Sequence, residues 1–144
     1  SMGIVYRISS YEVNIDELDA VSVARKIGIE QEKVFKTLVT SGDKSGYAVF
    51  VIPGNSELDL KKAARISGNK KIEMIKMKDL LSTTGYIRGG CSPIGMKKTF
   101  PTFIDESAQL YDEIYVSPGM RGIQIALSPH DLRNVINGKF AELV

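Results

Sequence analysis

"VFKTLVTSGDKSGYAVFVIP", residues 34–53, decides the fold class of this 144-residue chain. Its two ends, residues 34–41 and 47–53, are rich in β-branched and aromatic side chains, which are typical of strands. Between them, residues 42–46 (GDKSG) contain two glycines, which suit the turn of a hairpin. The stretch therefore predicts two neighbouring antiparallel strands.

The segments around this hairpin show both strand and helix patterns. Residue type and periodicity predict further strands at 3–11, 71–75, 102–108 and 112–128, the last divided by a Pro-Gly turn. Helices are predicted at 20–28, 56–68, 78–85 and 128–138. Leu60, Ala63 and Ala64 mark the inner face of the second helix, and Gly138 is expected to end the last one. The pattern predicts an α+β fold with a mixed, largely antiparallel, barrel-like sheet and flanking helices.

Composition narrows the class of protein. A hydrophobic content of 43% in 144 residues indicates a single domain, assigned to residues 3–144, with Ser1 and Met2 as a tag remnant. The 19 basic and 17 acidic side chains give a net charge of +2, which argues against a protein that coats duplex DNA. One cysteine and one histidine allow neither a disulfide nor a tetrahedral zinc site. With no apolar run near 20 residues and no signal peptide, a cytoplasmic location is expected.

Lys36 is the first candidate for a functional residue. Period-two alternation puts it on one face of its strand with Val34 and Leu38, and both faces are mostly apolar. A lysine buried there requires an anion or a carbonyl as a partner. The alternative is an edge strand from which the side chain reaches water.

Residues 82–98, "STTGYIRGGCSPIGMKK", hold the other unusual features. Cys91 is a nucleophile only if the lone histidine, His130, lies beside it, and a small apolar residue in a turn is the simpler interpretation. Gly89 and Gly90 indicate either a tight turn or a backbone that a ligand can approach closely. Followed by a rigid Ser-Pro pair and two lysines, they suggest free backbone N–H groups suited to a phosphate or carbonyl. Exposed lysines and Arg121 form either a solvated surface or a shallow track for RNA.

Five separated motifs resemble the YbaK/EbsC family over nearly the whole chain. They are "VFKTLV" (34–39), "LDLKKAA" (58–64), "TGYIRGGCSPIGMKK" (84–98), "IYVSPGMRG" (114–122) and "LSPHDL" (127–132). The best-known members are free-standing aminoacyl-tRNA deacylases related to the editing domain of bacterial prolyl-tRNA synthetases. The resemblance implies that fold, with no cofactor and no metal.

The resemblance also implies site residues. The essential lysine of the family falls on Lys36, and its catalytic glycine pair falls on Gly89 and Gly90. The implied substrate-binding positions are Tyr11, Thr37, Tyr86, Ser92 and Ser117. Leu18 stands near the place where an aromatic residue often lines the pocket.

The sequence is most similar to the branch that clears mischarged Cys-tRNA(Pro). In that branch the thiol of the substrate attacks its own ester and leaves as a cyclic thioester, so no protein nucleophile is needed. The implied partners are tRNA(Pro) and prolyl-tRNA synthetase, with no DNA and no membrane. Two alternatives stay open: an Ala-tRNA(Pro) deacylase that uses water, and a non-catalytic RNA-binding or regulatory module.

Overall fold

A computed structural model describes residues 4–144 of the chain. The assigned tag remnant and Gly3, where the predicted domain and first strand begin, lie outside the described residues. The helices are α1 (Ala20–Ile27), α2 (Leu60–Ile66), α3 (Met77–Thr84) and α4 (Pro129–Ile136). The strands are β1 (Tyr6–Ser10), β2 (Phe35–Gly42), β3 (Gly46–Pro53), β4 (Ile72–Met74), β5 (Thr102–Asp105), β6 (Ile114–Val116), β7 (Ile123–Leu127) and β8 (Lys139–Ala141). Two short 3-10 helices span Gln31–Lys33 and Glu106–Leu110.

The strands form two sheets. One has the order β1-β7-β6 and is antiparallel, and the other has the order β4-β2-β3-β5-β8. In the second sheet β4, β2 and β3 are antiparallel neighbours, whereas β5 pairs in parallel with both β3 and β8. The mixed and largely antiparallel α+β fold is confirmed, with two sheets that do not close into one barrel.

The predicted hairpin is confirmed, because β2 and β3 pair antiparallel over their full lengths. Its turn is stabilised by Asn69, a buried residue of the loop after α2. The Oδ1 atom of Asn69 accepts hydrogen bonds of 2.8 Å from the backbone N–H groups of both Lys44 and Ser45. Gly46 then returns the chain into β3 at a φ of +73°, which favours glycine. Side chains far apart in sequence therefore define the end of the hairpin.

The core lies on both faces of the five-stranded sheet. β3 is buried from Ala48 to Pro53, as expected of a central strand that is covered on both sides. Ala63 and Ala64 of α2 pack on one face, and Leu132 of α4 packs on the other. None of the helices of residues 4–144 is long and apolar enough to cross a membrane.

The predicted inner face of α2 is partly wrong. Ala63 and Ala64 are buried, but the Leu60 side chain is 43% exposed. Asp59 caps this helix by accepting hydrogen bonds from the N–H groups of Lys61 and Lys62, so Leu60 is its first residue and lies at the exposed end. Leu58, which precedes the cap, packs against the core.

The C-cap of the last helix is Asn137, whereas the sequence predicted that Gly138 would end this helix. Asn137 adopts the left-handed conformation at a φ of 51°, which asparagine tolerates better than most residues. The N–H of Gly138 then donates to the carbonyl of Arg133 at 2.9 Å and closes the helix. The turn leads directly into β8, a strand that sequence patterns did not predict.

The predicted strand at 102–108 is shorter than expected. It ends at Asp105, whose carboxylate accepts a hydrogen bond of 3.2 Å from the N–H of Ser107. This contact starts a 3-10 helix, because a carboxylate that binds a nearby N–H competes with the pairing of a strand. Residues 106–108 therefore belong to that helix.

Candidate functional site

A pocket of about 610 Å³ opens beside β2, within the range of roughly 300–1,000 Å³ that is usual for small-molecule sites. β4 pairs only with residues 40–42 of β2, so residues 35–39 border the pocket. Much of the lining is apolar and includes Leu18, Val23, Leu38, Ile75, Met77 and Leu80. The polar lining residues are Asp19, Lys36, Thr37, Arg88, Ser117 and Gln124. The pocket thus combines an apolar wall with a few polar groups.

Lys36 lies half-buried in this pocket. Burial lowers the pKa of its ammonium, and the negative charges of Glu57 and Asp19 partly offset that shift. Among residues 4–144 no carboxylate lies within 4.0 Å of the Lys36 ammonium, so no ion pair holds it. A desolvated and unpaired ammonium can donate hydrogen bonds to an anionic or carbonyl oxygen of a ligand.

Asp19 brings a carboxylate to the same pocket because it caps α1. Its Oδ2 accepts a hydrogen bond of 3.1 Å from the N–H of Ser22, and its Oδ1 accepts one of 2.7 Å from the Ser22 hydroxyl. These hydrogen bonds keep the pKa of Asp19 below its ordinary value, and the one from the Ser22 hydroxyl has the largest effect. Asp19 is therefore a fixed negative charge near Lys36.

The two glycines of the predicted site have different positions. Gly89 borders the pocket at a φ of +81°, and a Cβ placed on it would lie 3.1 Å from the Leu18 Cβ. Gly90 is buried, and its N–H donates to the Ile87 carbonyl at 3.0 Å. The expectation of free N–H groups is therefore wrong for Gly90. The N–H of Gly89 has no hydrogen-bond partner in the described part of the chain, so it can donate to a ligand.

Tyr86 and Ser92 are not among the residues that line the pocket. The Tyr86 hydroxyl donates to the carbonyl of Ile94, and burial raises the pKa of this phenol. Ser92 is fully buried, and its Oγ accepts a hydrogen bond of 3.1 Å from the N–H of Ile94. Both side chains hold the 86–94 loop in place, and neither is part of the pocket lining.

Ser117 and Gln124 also line the pocket. Ser117 follows the last residue of β6, and its Oγ accepts a hydrogen bond of 3.2 Å from the N–H of Gly119. Gln124, in β7, is only 5% exposed. Its Oε1 atom is buried and has no hydrogen-bond partner in residues 4–144. Sequence analysis did not single out Gln124; the available signal was an amide within the apolar strand "IQIAL".

The remaining predicted residues divide between two pockets. Thr37 lines the main pocket beside Lys36. Tyr11 instead lines a separate, smaller pocket, where the Lys26 ammonium lies 6.0 Å from the centre of its ring. The backbone of Tyr11 is fixed by a hydrogen bond of 2.9 Å from its N–H to the carbonyl of Gly122. Tyr11 is therefore not among the residues that line the main pocket with Lys36.

Cys91 and His130 do not form a catalytic pair. Cys91 lines the pocket, and burial raises the pKa of its thiol to about 11. His130 is exposed on α4, and its ring packs against that of Phe140 at 5.5 Å. In residues 4–144 no group of three or more His, Cys, Asp or Glu side chains could hold a metal ion.

Two arginines lie near the glycine turn. Arg88 lines the pocket, and the Nε of Arg121 donates to the Arg88 carbonyl at 2.8 Å. Five lysines of the predicted basic surface are exposed, namely Lys61, Lys70, Lys71, Lys97 and Lys98, and Lys62 is half-buried. Two of them have acidic neighbours: Lys62 lies 3.2 Å from Glu142, and Lys71 lies 3.5 Å from Glu73. Arg88 is therefore a positive charge at the pocket that a nucleic acid could contact.

Comparison with known proteins shows that the chain is similar to members of one family. The sequence model of the aminoacyl-tRNA editing domain matches residues 16–135. An Enterococcus faecalis protein named "Putative Cys-tRNA(Pro)/Cys-tRNA(Cys) deacylase EbsC" is 58% identical over 96% of this chain and 84% of its own length. A proline–tRNA ligase of Thermosipho melanesiensis is 26% identical over 69% of this chain and 17% of its own length.

A solved structure described as "a putative trans-editing enzyme for prolyl tRNA synthetase" is also similar. It superposes with a TM-score of 0.84 at 25% identity, over 96% of this chain and 85% of its own. The fold and the sequence thus point to the same family, and the match with the ligase covers only a small part of that enzyme.

Proposed function

Because the chain belongs to the aminoacyl-tRNA editing domain family, we propose that it is a deacylase that clears mischarged Cys-tRNA(Pro) in trans. The observation that carries this proposal is the pocket itself. Within residues 4–144 its Lys36 ammonium has no ion-pair partner and its Gly89 N–H has no hydrogen-bond partner, whereas burial holds the thiol of Cys91 protonated. Such a site suits the cleavage of an ester that is already activated.

In the proposed reaction the substrate supplies the nucleophile. The thiolate of the cysteinyl group attacks its own ester carbonyl, and a C–S bond forms as the ester C–O bond breaks. The product is a four-membered cyclic thioester, and the proton of the thiol ends on the ribose oxygen of the tRNA. Lys36 and the Gly89 N–H donate to the carbonyl oxygen as negative charge develops there. Formally this is an elimination-type cleavage, the chemistry of a lyase rather than of a hydrolase.

Substrate-assisted chemistry also explains how cysteine is distinguished from other small amino acids. A pocket separates ligands that differ by one small group by only about 1–3 kcal/mol. At about 610 Å³ the pocket has room for an aminoacyl group and part of the terminal nucleoside, so size alone would exclude alanine poorly. Alanine has no thiol, so it cannot leave by this route.

The experiment is a deacylation panel with Cys, Ala, Ser and Pro on tRNA(Pro), using wild type, Lys36→Ala and Lys44→Ala. Lys44 is an exposed lysine in the hairpin turn and is the matched control. We expect cysteine to be released as the cyclic thioester, detected by mass spectrometry, and Lys36→Ala to lower kcat/KM by about 10²–10³-fold.

Each other outcome of this panel has a defined meaning. Release of alanine but not cysteine would identify an Ala-tRNA(Pro) deacylase that uses water. Binding of charged tRNA without turnover would identify a non-catalytic RNA-binding module. Intact Cys-tRNA(Pro), with no effect of Lys36→Ala, would refute the proposal.

The partners follow from the substrate. With a net charge of +2, the chain has little positive charge for selecting one tRNA by itself. We therefore propose that prolyl-tRNA synthetase delivers the mischarged tRNA(Pro), and that both proteins act in the cytoplasm. A pull-down of the synthetase that depends on tRNA(Pro) would support this association.

A further inference from the structure

Two exposed methionines belong to the lining of the main pocket. Met74, the last residue of β4, is 45% exposed, and Met77, the first residue of α3, is 59% exposed. Both line the pocket, so each is shared between the cavity and the outer surface and lies at the pocket mouth. Leu81, one turn after Met77 on α3, is also exposed and extends this apolar surface. We call these three residues the methionine patch.

The charge around the methionine patch is positive. Residues 70–79 hold four lysines and two acidic residues, and this excess of two equals the formal net charge of the whole chain. Lys76 and Lys78, the neighbours of Met77 in the chain, are both exposed. Within residues 4–144 no carboxylate lies within 4.0 Å of either ammonium. Arg88, which is exposed as well, lines the same pocket.

These surroundings favour a nucleic acid over a second protein as the ligand of the patch. Lysine is depleted in protein–protein interfaces, whereas nucleic-acid sites use lysine and arginine to neutralise phosphates. A nucleotide also has what an apolar patch requires, because the face of its base is a flat aromatic ring. A nucleotide therefore matches both the apolar surface and the charge beside it.

The pocket limits which part of the substrate can reach the patch. In the proposed reaction the ester lies beside Lys36, and the pocket of about 610 Å³ holds the aminoacyl group with only part of the terminal nucleoside. The ribose joins the ester to the base through a few bonds, so the base lies close to the pocket without fitting wholly inside it. Met74 and Met77 occupy that position, at the mouth of the same pocket.

We propose that the methionine patch binds the adenine of the 3′-terminal nucleotide, an assignment that rests on the proposed function. The flexible and polarisable thioether of methionine packs favourably against aromatic rings. Such a contact does not recognise the edge of the base, and no such recognition is needed because every tRNA ends in the same adenosine. Binding of the base, remote from the reacting bond, would hold the ester beside Lys36.

The experiment measures Kd by titration calorimetry with two stable probes. Both are 3-amino-3-deoxyribose 5-phosphates that carry a cysteinyl group in amide linkage on the 3-amino group. One has adenine at C1 and the other has hydrogen there, so they differ only in the base. The proteins are wild type, Met77→Ser, Met77→Leu and Leu110→Ser. Leu110 is exposed at the end of the 3-10 helix that follows β5, does not line the pocket and is the matched control.

We expect wild type to prefer the adenine probe on the order of tenfold. Met77→Ser should lower this preference to about twofold to threefold, because Met74 remains, and should leave the affinity for the base-free probe unchanged. Met77→Leu keeps an apolar side chain and should retain most of the preference, and Leu110→Ser should match wild type. Because Met77 is exposed, its replacement should cost little stability.

Three results would overturn the inference while leaving the proposed function intact. The first is a wild type that binds both probes equally. The second is a Met77→Ser variant with the full preference for adenine, as expected if the patch instead receives another protein. The third is a Met77→Ser variant that weakens both probes by the same factor, which would mean that Met77 acts on the aminoacyl end. Failure of wild type to bind either probe would overturn the proposed function together with this inference.

Discussion

Val34 pairs with Tyr115 in an isolated parallel bridge that joins the five-stranded sheet to the three-stranded sheet. Both residues are buried, and they pack with Ala24 of α1. The bridge joins β6 to the residue that precedes β2, and both Ser117, which follows β6, and Lys36 of β2 line the pocket. The pocket is therefore built where the two sheets meet, and each sheet supplies part of it.

Ligand binding should weaken at alkaline pH because Lys36 must be protonated to donate. Burial lowers the pKa of Lys36 below the ordinary 10.5, with Glu57 and Asp19 opposing the shift, so the ammonium loses its proton at a lower pH than an exposed lysine. The probe is 3′-propanoylamino-3′-deoxyadenosine, which carries neither a thiol nor an amine that titrates. We expect its affinity to fall about tenfold as the pH rises through the pKa of Lys36.

The control for this pH profile is Lys36→Met. This variant should bind the probe weakly and with no pH dependence over the same range, as measured by calorimetry. An unchanged alkaline fall in Lys36→Met would assign the titration to another group.

Gly89→Ala should remove activity, whereas Gly68→Ala should not. Both glycines are left-handed, at φ values of +81° and +77°, so alanine costs each about 1–2 kcal/mol of stability. At Gly89 the new Cβ would also lie 3.1 Å from the Leu18 Cβ at the pocket wall, while nothing lies within 4 Å of a Cβ at Gly68. Urea unfolding should therefore show losses in both variants.

Deacylation rates then distinguish backbone strain, which both variants share, from the contact of the new methyl group with the pocket wall, which only Gly89→Ala has. We expect kcat/KM to fall at least about tenfold in Gly89→Ala and to stay near wild type in Gly68→Ala. Equal activity of the two variants would show that Gly89 matters only for the conformation of its turn.

Most of the fold could be predicted from local patterns, and the exceptions have a common cause. The β2–β3 hairpin, α1 and α3 all begin and end with local signals such as Gly28 and Gly85, both left-handed C-caps. β8 was missed because its three residues, Lys139–Ala141, pair in parallel with the distant β5, and a strand this short has no detectable periodicity. The division into two sheets depends on such long-range pairings as well.

A residue of the candidate site could be predicted from the sequence where its side chain is unusual for the surrounding hydrophobic pattern. Lys36 was found because a lysine is unusual in an apolar strand, and its catalytic role stays a prediction. Gln124 was missed because a polar residue that alternates with Ile123 and Ile125 resembles one on a solvated face. Tyr11 lines a different pocket from Lys36 and follows β1, which lies in the other sheet, a placement that no motif reveals.

Cys91→Ala should keep deacylase activity. Burial raises the pKa of the Cys91 thiol to about 11, so less than one per cent is thiolate at about pH 8, and the proposed nucleophile comes from the substrate. Removing one buried sulfur should cost about 1 kcal/mol of stability and leave kcat/KM within roughly threefold of wild type. A loss of about a hundredfold or more in a folded variant would instead make Cys91 a catalytic residue.

Asp105→Ala should destabilise the protein more than Asp43→Ala does. Asp105 is 2% exposed; its Oδ1 accepts a hydrogen bond of 2.9 Å from the buried N–H of Leu143, and its Oδ2 binds Ser107. Removing the carboxylate leaves the Leu143 N–H without its acceptor, at a cost of about 1–3 kcal/mol. Asp43 accepts two backbone bonds in an exposed turn, where water can replace it, so its loss should cost about 1 kcal/mol or less.

The measurement is the free energy of unfolding in urea, with deacylation assayed well below the melting temperature of each variant. Because Asp105 holds the C-terminal segment and does not line the pocket, kcat/KM should be unchanged while the free energy of unfolding falls. Asp105→Asn keeps an acceptor for Leu143 but offers an amide to Ser107, so its stability should be intermediate. Equal losses in Asp105→Ala and Asp43→Ala would mean that the Leu143 N–H finds another partner when the carboxylate is removed.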